Sequence, residues 1–351
     1  MHMADALISP TVGGMLWAVS GGLIAFCARK VKRTLRDNLV PMMGVLGAFI
    51  FAAQMINFSI PGTGSSGHLS GGLILTILLG PYAAFLVIAS VLTVQAFFFA
   101  DGGLLALGCN IFNLGFFPAF IAYPLIYRVI AKDQHGTPRA WVAAMVAAVV
   151  GLQLGAFSVV LETKASGISE LPFGTFVLMM LPIHLAIGVV EGLATAAVVS
   201  FVARARPEAL RTAPSAGASV SLRPVVIGLA ITAVVMGGLV SWFASTHPDG
   251  LEWSISKVTG KEELSGSEAG VHKNLADLQK KTAFLPDYGF KATEAESAPA
   301  EHAAPEPEPW PAVNAGTSIS GIVGGLMTLA LVCLVGFALK ARSIQRAHGN
   351  D

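Results

Sequence analysis

Hydrophobic and polar positions along this chain fall into long blocks rather than short periods. Apolar runs occupy roughly 12–28, 40–58, 82–100, 104–130, 140–161, 173–203, 224–244 and 319–340. Each is long enough, as a helix, to cross about 30 Å of hydrocarbon. A ninth run, Leu69 to Leu79, lies between Gly67-His68 and Gly80-Pro81. It is too short for an ordinary span and could be a tilted short helix or a re-entrant piece.

Charge decides between these. If the short run is counted as a crossing, the basic residues sort to one side. They are Arg29, Lys30, Lys32, Arg33 and Arg36; Arg128, Lys132 and Arg139; Arg204, Arg206, Arg211 and Arg223; and Lys340, Arg342 and Arg346. Only Asp37, Asp133, Glu208 and Asp351 accompany them. By the positive-inside rule this side is the cytoplasm. The prediction is therefore nine crossings in the cytoplasmic (inner) membrane, with an external N-terminus and a cytoplasmic C-terminus. No basic leader or small-residue cleavage site precedes the first span, so the mature chain is expected to keep Met1.

Composition agrees. The chain has 351 residues, 54% of them apolar and only 12% Asp, Glu, Lys or Arg; soluble domains carry about 25% charged residues. Mean hydropathy is +0.68 and net charge +1. A soluble enzyme, a disordered hub and a nucleic-acid binder are excluded. The expected fold is all-α, a polytopic helical bundle. Cys27, Cys109 and Cys333 form no motif and read as structural filler.

The spans divide into a core of about seven helices over 1–206, a cytoplasmic linker at 207–222 and a second module at 223–345. That module has two helices, at about 224–244 and 319–340, around an external loop at 245–318. The loop holds 12 acids and 6 Lys. Its Glu294 to Pro311 stretch, rich in Ala, Pro and Glu, reads as an extended linker. The module looks like an accessory subunit fused to the core.

Among eight histidines, topology separates His135, His348, His272 and His302, which fall in loops or tails and read as solvated. His2 differs by position. A free α-amine, the deprotonated amide of residue 2 and the imidazole Nδ1 of that residue can chelate one metal through fused five- and six-membered rings. Cu(II) and Ni(II) favour such planar nitrogen sets. One coordination place stays vacant, and His68, on the external side at the start of the short helix, could fill it. The bland alternative is that His2 is accidental and His68 merely bonds its Gly/Ser loop.

The opening Met1-His2-Met3-Ala4-Asp5-Ala6-Leu7-Ile8-Ser9-Pro10 resembles the start of the CbiM/NikM family. These are the substrate-binding membrane components of energy-coupling-factor (ECF) ABC transporters for cobalt and nickel. Gln54-Met55-Ile56-Asn57-Phe58, Pro61-Gly62-Thr63, Gly67-His68-Leu69-Ser70-Gly71-Gly72, Asn110-Ile111-Phe112-Asn113 and His184 through Glu191-Gly192 fit in the same order. The second module resembles the NikN or PDGLE-type partner, through Pro248-Asp249-Gly250-Leu251-Glu252, Pro286-Asp287-Tyr288-Gly289-Phe290 and Ser320-Gly321-Ile322-Val323-Gly324. The resemblance implies near-square-planar binding by the Met1 amine, the His2 amide and imidazole, and the His68 imidazole. It also implies a CbiQ/NikQ-type coupling subunit and CbiO/NikO-type ATPases. The bound ion would be transported Ni(II), or Co(II), rather than a cofactor. The accessory module is expected to serve metal loading.

Asp5, Asn57, Thr63, Ser65 and Ser66 are candidates to orient the ligands. His184 and Glu191 share one helix face two turns apart, as a structural polar pair or a coupling element. Gly44, Ala48 and Ala52 recur every four residues, suiting either internal packing or docking of the coupling subunit. No phosphate loop is present: Thr259-Gly260-Lys261-Glu262 lacks the first glycine and the hydroxyl residue. The chain is thus read as no enzyme, and ATP hydrolysis falls to separate subunits.

Two rivals stand beside this. A secondary permease without ATPases would need membrane carboxylates, and Glu191 is the only acid placed well inside a span. A membrane metalloenzyme would need an open coordination position and a water-activating carboxylate.

Overall fold

The computed structural model describes residues 2–34, 39–132, 134–205, 223–291 and 310–347. The linkers expected at 207–222 and at Glu294–Pro311 lie almost wholly outside these residues. Among the described residues, nine helices stand where the nine apolar runs were read. They are α1 (Pro10–Thr34), α2 (Leu39–Gln54), α3 (Gly72–Leu79), α4 (Pro81–Phe99), α5 (Leu107–Ala131), α6 (Pro138–Ser166), α7 (Phe173–Ala205), α8 (Arg223–Gly238) and α11 (Ala315–Ala347). Six are long and apolar enough to cross a membrane; α2 and α8 have 16 residues each. Their outward faces carry Trp17, Leu178 and Leu326, as a lipid-facing surface requires.

Several features differ from the sequence reading. The second helix stops at Gln54 rather than near 58, because Phe58–Ile60 (β1) and Ser65–Gly67 (β2) form an antiparallel hairpin with Ser59 opposite Ser66. The eighth stops at Gly238 and tightens into a 3₁₀ turn over Val240–Phe243. The segment 245–318, expected to be an external loop, is not only loop: it folds α9 (Gly250–Thr259) and α10 (Gly270–Thr282).

Helix α2 is apolar on every face and buried from Met42 to Gln54. It is enclosed by α4, α8 and α11, so the accessory helices are part of the bundle that surrounds it. A methyl group at Gly44 would sit 2.7 Å from the Cys333 sulfur of α11, and Ala48 faces Gly325. Gly44 and Ala48 of α2 thus face the last helix. Helix α5 widens to π geometry over Phe112–Tyr127, where Pro118 and Pro124 cannot donate to the ladder.

Helix α9 packs against α7 and the β-hairpin, and α10 against the end of α4. The motif Pro248-Asp249-Gly250-Leu251-Glu252 begins α9 with a capping box. Asp249 Oδ1 accepts from the Leu251 and Glu252 amides at 2.7 and 2.9 Å, and Glu252 Oε2 accepts from the Asp249 amide at 2.9 Å. Gly250 is required by the close approach to α7: a Cβ there would meet His184 Cε1 at 3.1 Å and Ile187 Cδ1 at 2.9 Å.

Candidate metal centre

The N-terminal segment is threaded into the bundle and pinned along its length. Met3 donates its amide to Asn110 Oδ1 at 2.8 Å, and its carbonyl accepts from Gly103 N and Asn110 Nδ2 at 2.9 and 3.2 Å. Asp5 accepts from the Ala106 amide at 2.9 Å. His272 of α10 donates from Nε2 to the Ile8 carbonyl at 2.9 Å. His272, read from the sequence as solvated, is therefore buried, because α10 closes over the segment. His135 is likewise half-buried, its Nδ1 3.1 Å from the Tyr127 hydroxyl.

This threading brings His2 against His68. Their rings stack with centroids 5.0 Å apart and planes at 30°. His68 donates from Nδ1 to the Leu69 carbonyl at 3.1 Å, which leaves the lone pair on Nε2. Burial pushes its pKa down to about 3, so the ring is neutral at physiological pH. His2 donates from Nδ1 to Asp101 Oδ1 at 2.7 Å, and its buried Nε2 has no partner among the described residues. Met1 lies outside the described residues.

Two carboxylates flank the pair, neither of them singled out from the sequence as site residues. Asp101, in the turn between α4 and α5, also accepts from the Tyr288 hydroxyl of the accessory module. Burial works to raise its pKa, but the His2 imidazole and the Tyr288 hydroxyl outweigh that and hold it at about 2. Asp249 has its second oxygen 3.9 Å from His68 Nε2. Among the described residues no group of three or more His, Cys, Asp or Glu side chains is arranged to hold a metal.

The other candidates build the frame. Ser66 donates its amide to the Pro248 carbonyl at 2.8 Å and its hydroxyl to the His247 carbonyl at 2.7 Å. Ser65 donates to the Ser66 carbonyl, and Thr63 Oγ1 closes the hairpin turn on Ile60 and Ser65. The Thr63 carbonyl accepts from Trp253 of α9, and that of Asn57 from Ser245. In the hydrogen bonds found, these four bind the accessory segment or the hairpin itself, and Asp5 binds the α4–α5 turn.

His184 and Glu191 do not pair with each other. Glu191 accepts from Ser70 N at 2.7 Å, Ser70 Oγ at 3.0 Å and Gly71 N at 3.0 Å. It stands at the N-terminus of α3, where amides and helix dipole favour an anion. Gly71 is left-handed there, at φ 74°. His184 donates from Nδ1 to the Met180 carbonyl at 2.7 Å. Glu191 is also not the only acid within a spanning helix: Glu162 of α6 is buried and accepts from Asn113 Nδ2 at 2.8 Å. The sequence reading ended that span at 161, whereas α6 runs on to Ser166.

Comparison with known families places this geometry. A model described as the cobalt uptake substrate-specific transmembrane region, CbiM, matches residues 2–209. The chain belongs to the CbiM family. Residues 223–341 match the PDGLE domain, so this CbiM chain carries its accessory domain fused. A relative in Archaeoglobus fulgidus, named a putative fused nickel transport protein NikMN, is 33% identical over 97% of this chain and 98% of its own. The fused nickel transport protein NikMN of Rhodobacter capsulatus is 27% identical over 99% of this chain and all of its own. The crystal structure of a truncated transition metal transporter is 28% identical, with a TM-score of 0.52 over 58% of this chain and 99% of that one. The fused CbiM–PDGLE chain is a multi-pass helical membrane protein of a metal-transporter family.

Proposed function

We propose that this chain captures Ni(II) outside the cytoplasmic membrane, as the substrate-specific component of an ATP-driven ECF-type transporter. The observation that carries the reading is the stacked His2–His68 pair. It sets two buried imidazoles against each other, His68 as the tautomer protonated on Nδ1 and His2 with its Nδ1 held by Asp101. The remaining donors would be the Met1 amine and the His2 amide. Chelation through His2 Nδ1 exchanges its hydrogen bond to Asp101 for the metal, by rotation of the ring about Cβ–Cγ. The sorting of basic residues supports an external N-terminus and a cytoplasmic C-terminus. A coupling subunit and separate ATPases would drive release inside.

Co(II) is the second cargo to consider, because the family model is described by cobalt uptake. A planar strong-field nitrogen set suits low-spin d8 Ni(II), which favours nickel. The test is metal content and visible spectrum of the purified full-length chain, native and with a short N-terminal extension. The native chain should hold about one Ni(II) with a planar-nitrogen band and exchange it poorly for Co(II), and the extended chain should hold none. Equal Ni(II) in both would remove the amine from the ligand set and sink the proposed site.

A further inference from the structure

Helix α10 is tied at both ends to membrane-spanning helices. Near its start, His272 reaches the Ile8 carbonyl, two residues ahead of the span that opens at Pro10. Near its end, the Gln279 side chain donates to the Ala96 and Gly102 carbonyls, each at 2.8 Å. The Leu285 amide donates to the Phe98 carbonyl, where the span Pro81–Phe99 runs out. His272 and Gln279 are separated by about 10 Å of helix at 1.5 Å per residue. Packed helices such as α1 and α4 have axes roughly 8–10 Å apart. Helix α10 therefore bridges the ends of α1 and α4. It lies across the spans, in the layer where they leave hydrocarbon.

Val271, Leu275 and Leu278 recur at i, i+4 and i+7, an apolar stripe beside the one that carries His272 and Gln279. Lys273, Asp277 and Lys280 occupy the opposite side. The stripe is not covered by the described residues: Val271 is 46% exposed and Leu278 42%. Phe284, just past the helix, is 43% exposed although its ring meets those of Phe98 and Phe99. Lys280, Lys281 and Lys291 stand exposed around the same end, Lys291 reaching back to the Lys280 carbonyl at 3.2 Å.

We infer that α10 is an interfacial helix lying on the bilayer surface, with Val271, Leu278 and Phe284 among the lipid chains and the three lysines at lipid phosphates. The occupant of the stripe is the phospholipid of the membrane that the spans cross. An amphipathic helix of low overall hydrophobicity buries its apolar face at the boundary between headgroups and acyl chains. Lysines at the rim lay their apolar stems along that face and place their ammonium groups at the anionic headgroups. Position favours lipid over a protein partner, because the stripe stands at the level of the span ends, where a phospholipid surface is always within reach.

The experiment is nitroxide labelling of the full-length chain in nanodiscs of phosphatidylcholine, with and without phosphatidylglycerol. Cys27 and Cys109 are buried, so Cys333→Ala supplies the background. Single labels enter through Val271→Cys and Leu278→Cys on the stripe, and through Lys273→Cys and Asp277→Cys on the opposite side. Oxygen concentrates in hydrocarbon and chromium oxalate stays in water, so the ratio of their collision rates with a label reads its depth. That ratio at 271 and 278 should exceed the ratio at 273 and 277 on the order of threefold. Adding phosphatidylglycerol should move the 278 label deeper in the native background and leave it unmoved beside Lys280→Gln, Lys281→Gln and Lys291→Gln. Equal ratios at all four positions would overturn the interfacial helix. So would labels at 271 and 278 shielded from both reagents, since a protein surface then covers the stripe. A native-background label that ignores phosphatidylglycerol, or a lysine variant that responds to it in full, would overturn the phosphate contact.

Discussion

Two polar clusters flank Leu69, and they are built on opposite principles. At Ser70-Gly71, three donors converge on Glu191 and occupy both of its oxygens. At His68, the neighbouring ring of His2 keeps a buried nitrogen without a partner, and a carboxylate of the accessory domain stands 3.9 Å from His68 itself. Buried polar groups are normally satisfied, so a saturated cluster marks architecture and an unsaturated one marks a place for something else. The Glu191 cluster fixes where α3 begins and thereby where His68 stands. In the His68 cluster the unsatisfied atom among the described residues is Nε2 of His2.

That contrast breaks first at Glu191. Glu191→Ala would leave two amides and a hydroxyl buried without an acceptor, a loss of about 3–5 kcal/mol. The melting temperature in detergent should fall steeply, and Glu191→Gln, which keeps one acceptor oxygen, should recover part of it. A variant that melts normally yet loses metal would move Glu191 into the metal site. His68→Ala should behave the opposite way. Groups that only orient a ligand are worth roughly 10–100-fold in affinity, so losing the ligand itself should cost more than about 100-fold in Ni(II) affinity. Melting of the metal-free protein should barely change. Equilibrium dialysis beside thermal melting reads both.

Much of this was legible because bilayer physics writes long signals. Each of the nine helices stands on an apolar run, and the grouped charges at their ends marked the turns. The hairpin was not legible: Met55, Ile56 and Ile60 continue the apolar run of α2, and hydropathy cannot separate a buried loop from a helix. Helix α9 is legible in principle, since Asp249 with Glu252 three residues on is a capping box. The histidine pair followed from the chemistry of position 2 and from resemblance. Asp101 carried no local signal, because its partners His2 and Tyr288 are 99 and 187 residues away.

A smaller effect sharpens the contrast between core and accessory domain. Gly44→Leu would overfill the seam where α2 receives Cys333 and Leu329 of α11, at a cost of about 1–3 kcal/mol. Adding Cys333→Ala should return part of that stability. An undiminished melting temperature, with impaired transport in the assembled complex, would instead assign the stripe to a partner subunit.

The smallest effect is a pair of pH slopes of opposite sign. Burial and the adjacent Asp249 carboxylate raise Glu252 from near 4.5 to about 7. The folded chain then binds this proton more tightly than the unfolded chain. The contribution of Glu252 to stability is therefore greatest below 4.5 and declines as pH rises to about 7. Asp101, held at about 2, stays ionised throughout, and its own contribution is lost only below 3.8. Metal retention runs the other way, because the chelating nitrogens must lose protons before they bind. Between pH 8 and 5.5, metal-free protein should hold α9 more firmly while nickel-loaded protein releases its ion. Trp253, whose ring N–H donates to the Thr63 carbonyl at 3.0 Å, reports the docking of α9 by fluorescence. Glu252→Gln should flatten that slope and leave the nickel slope intact. If both slopes flatten together, the cap of α9 and the metal centre are one titrating unit, and the division between architecture and site drawn at Leu69 would not extend to the accessory domain.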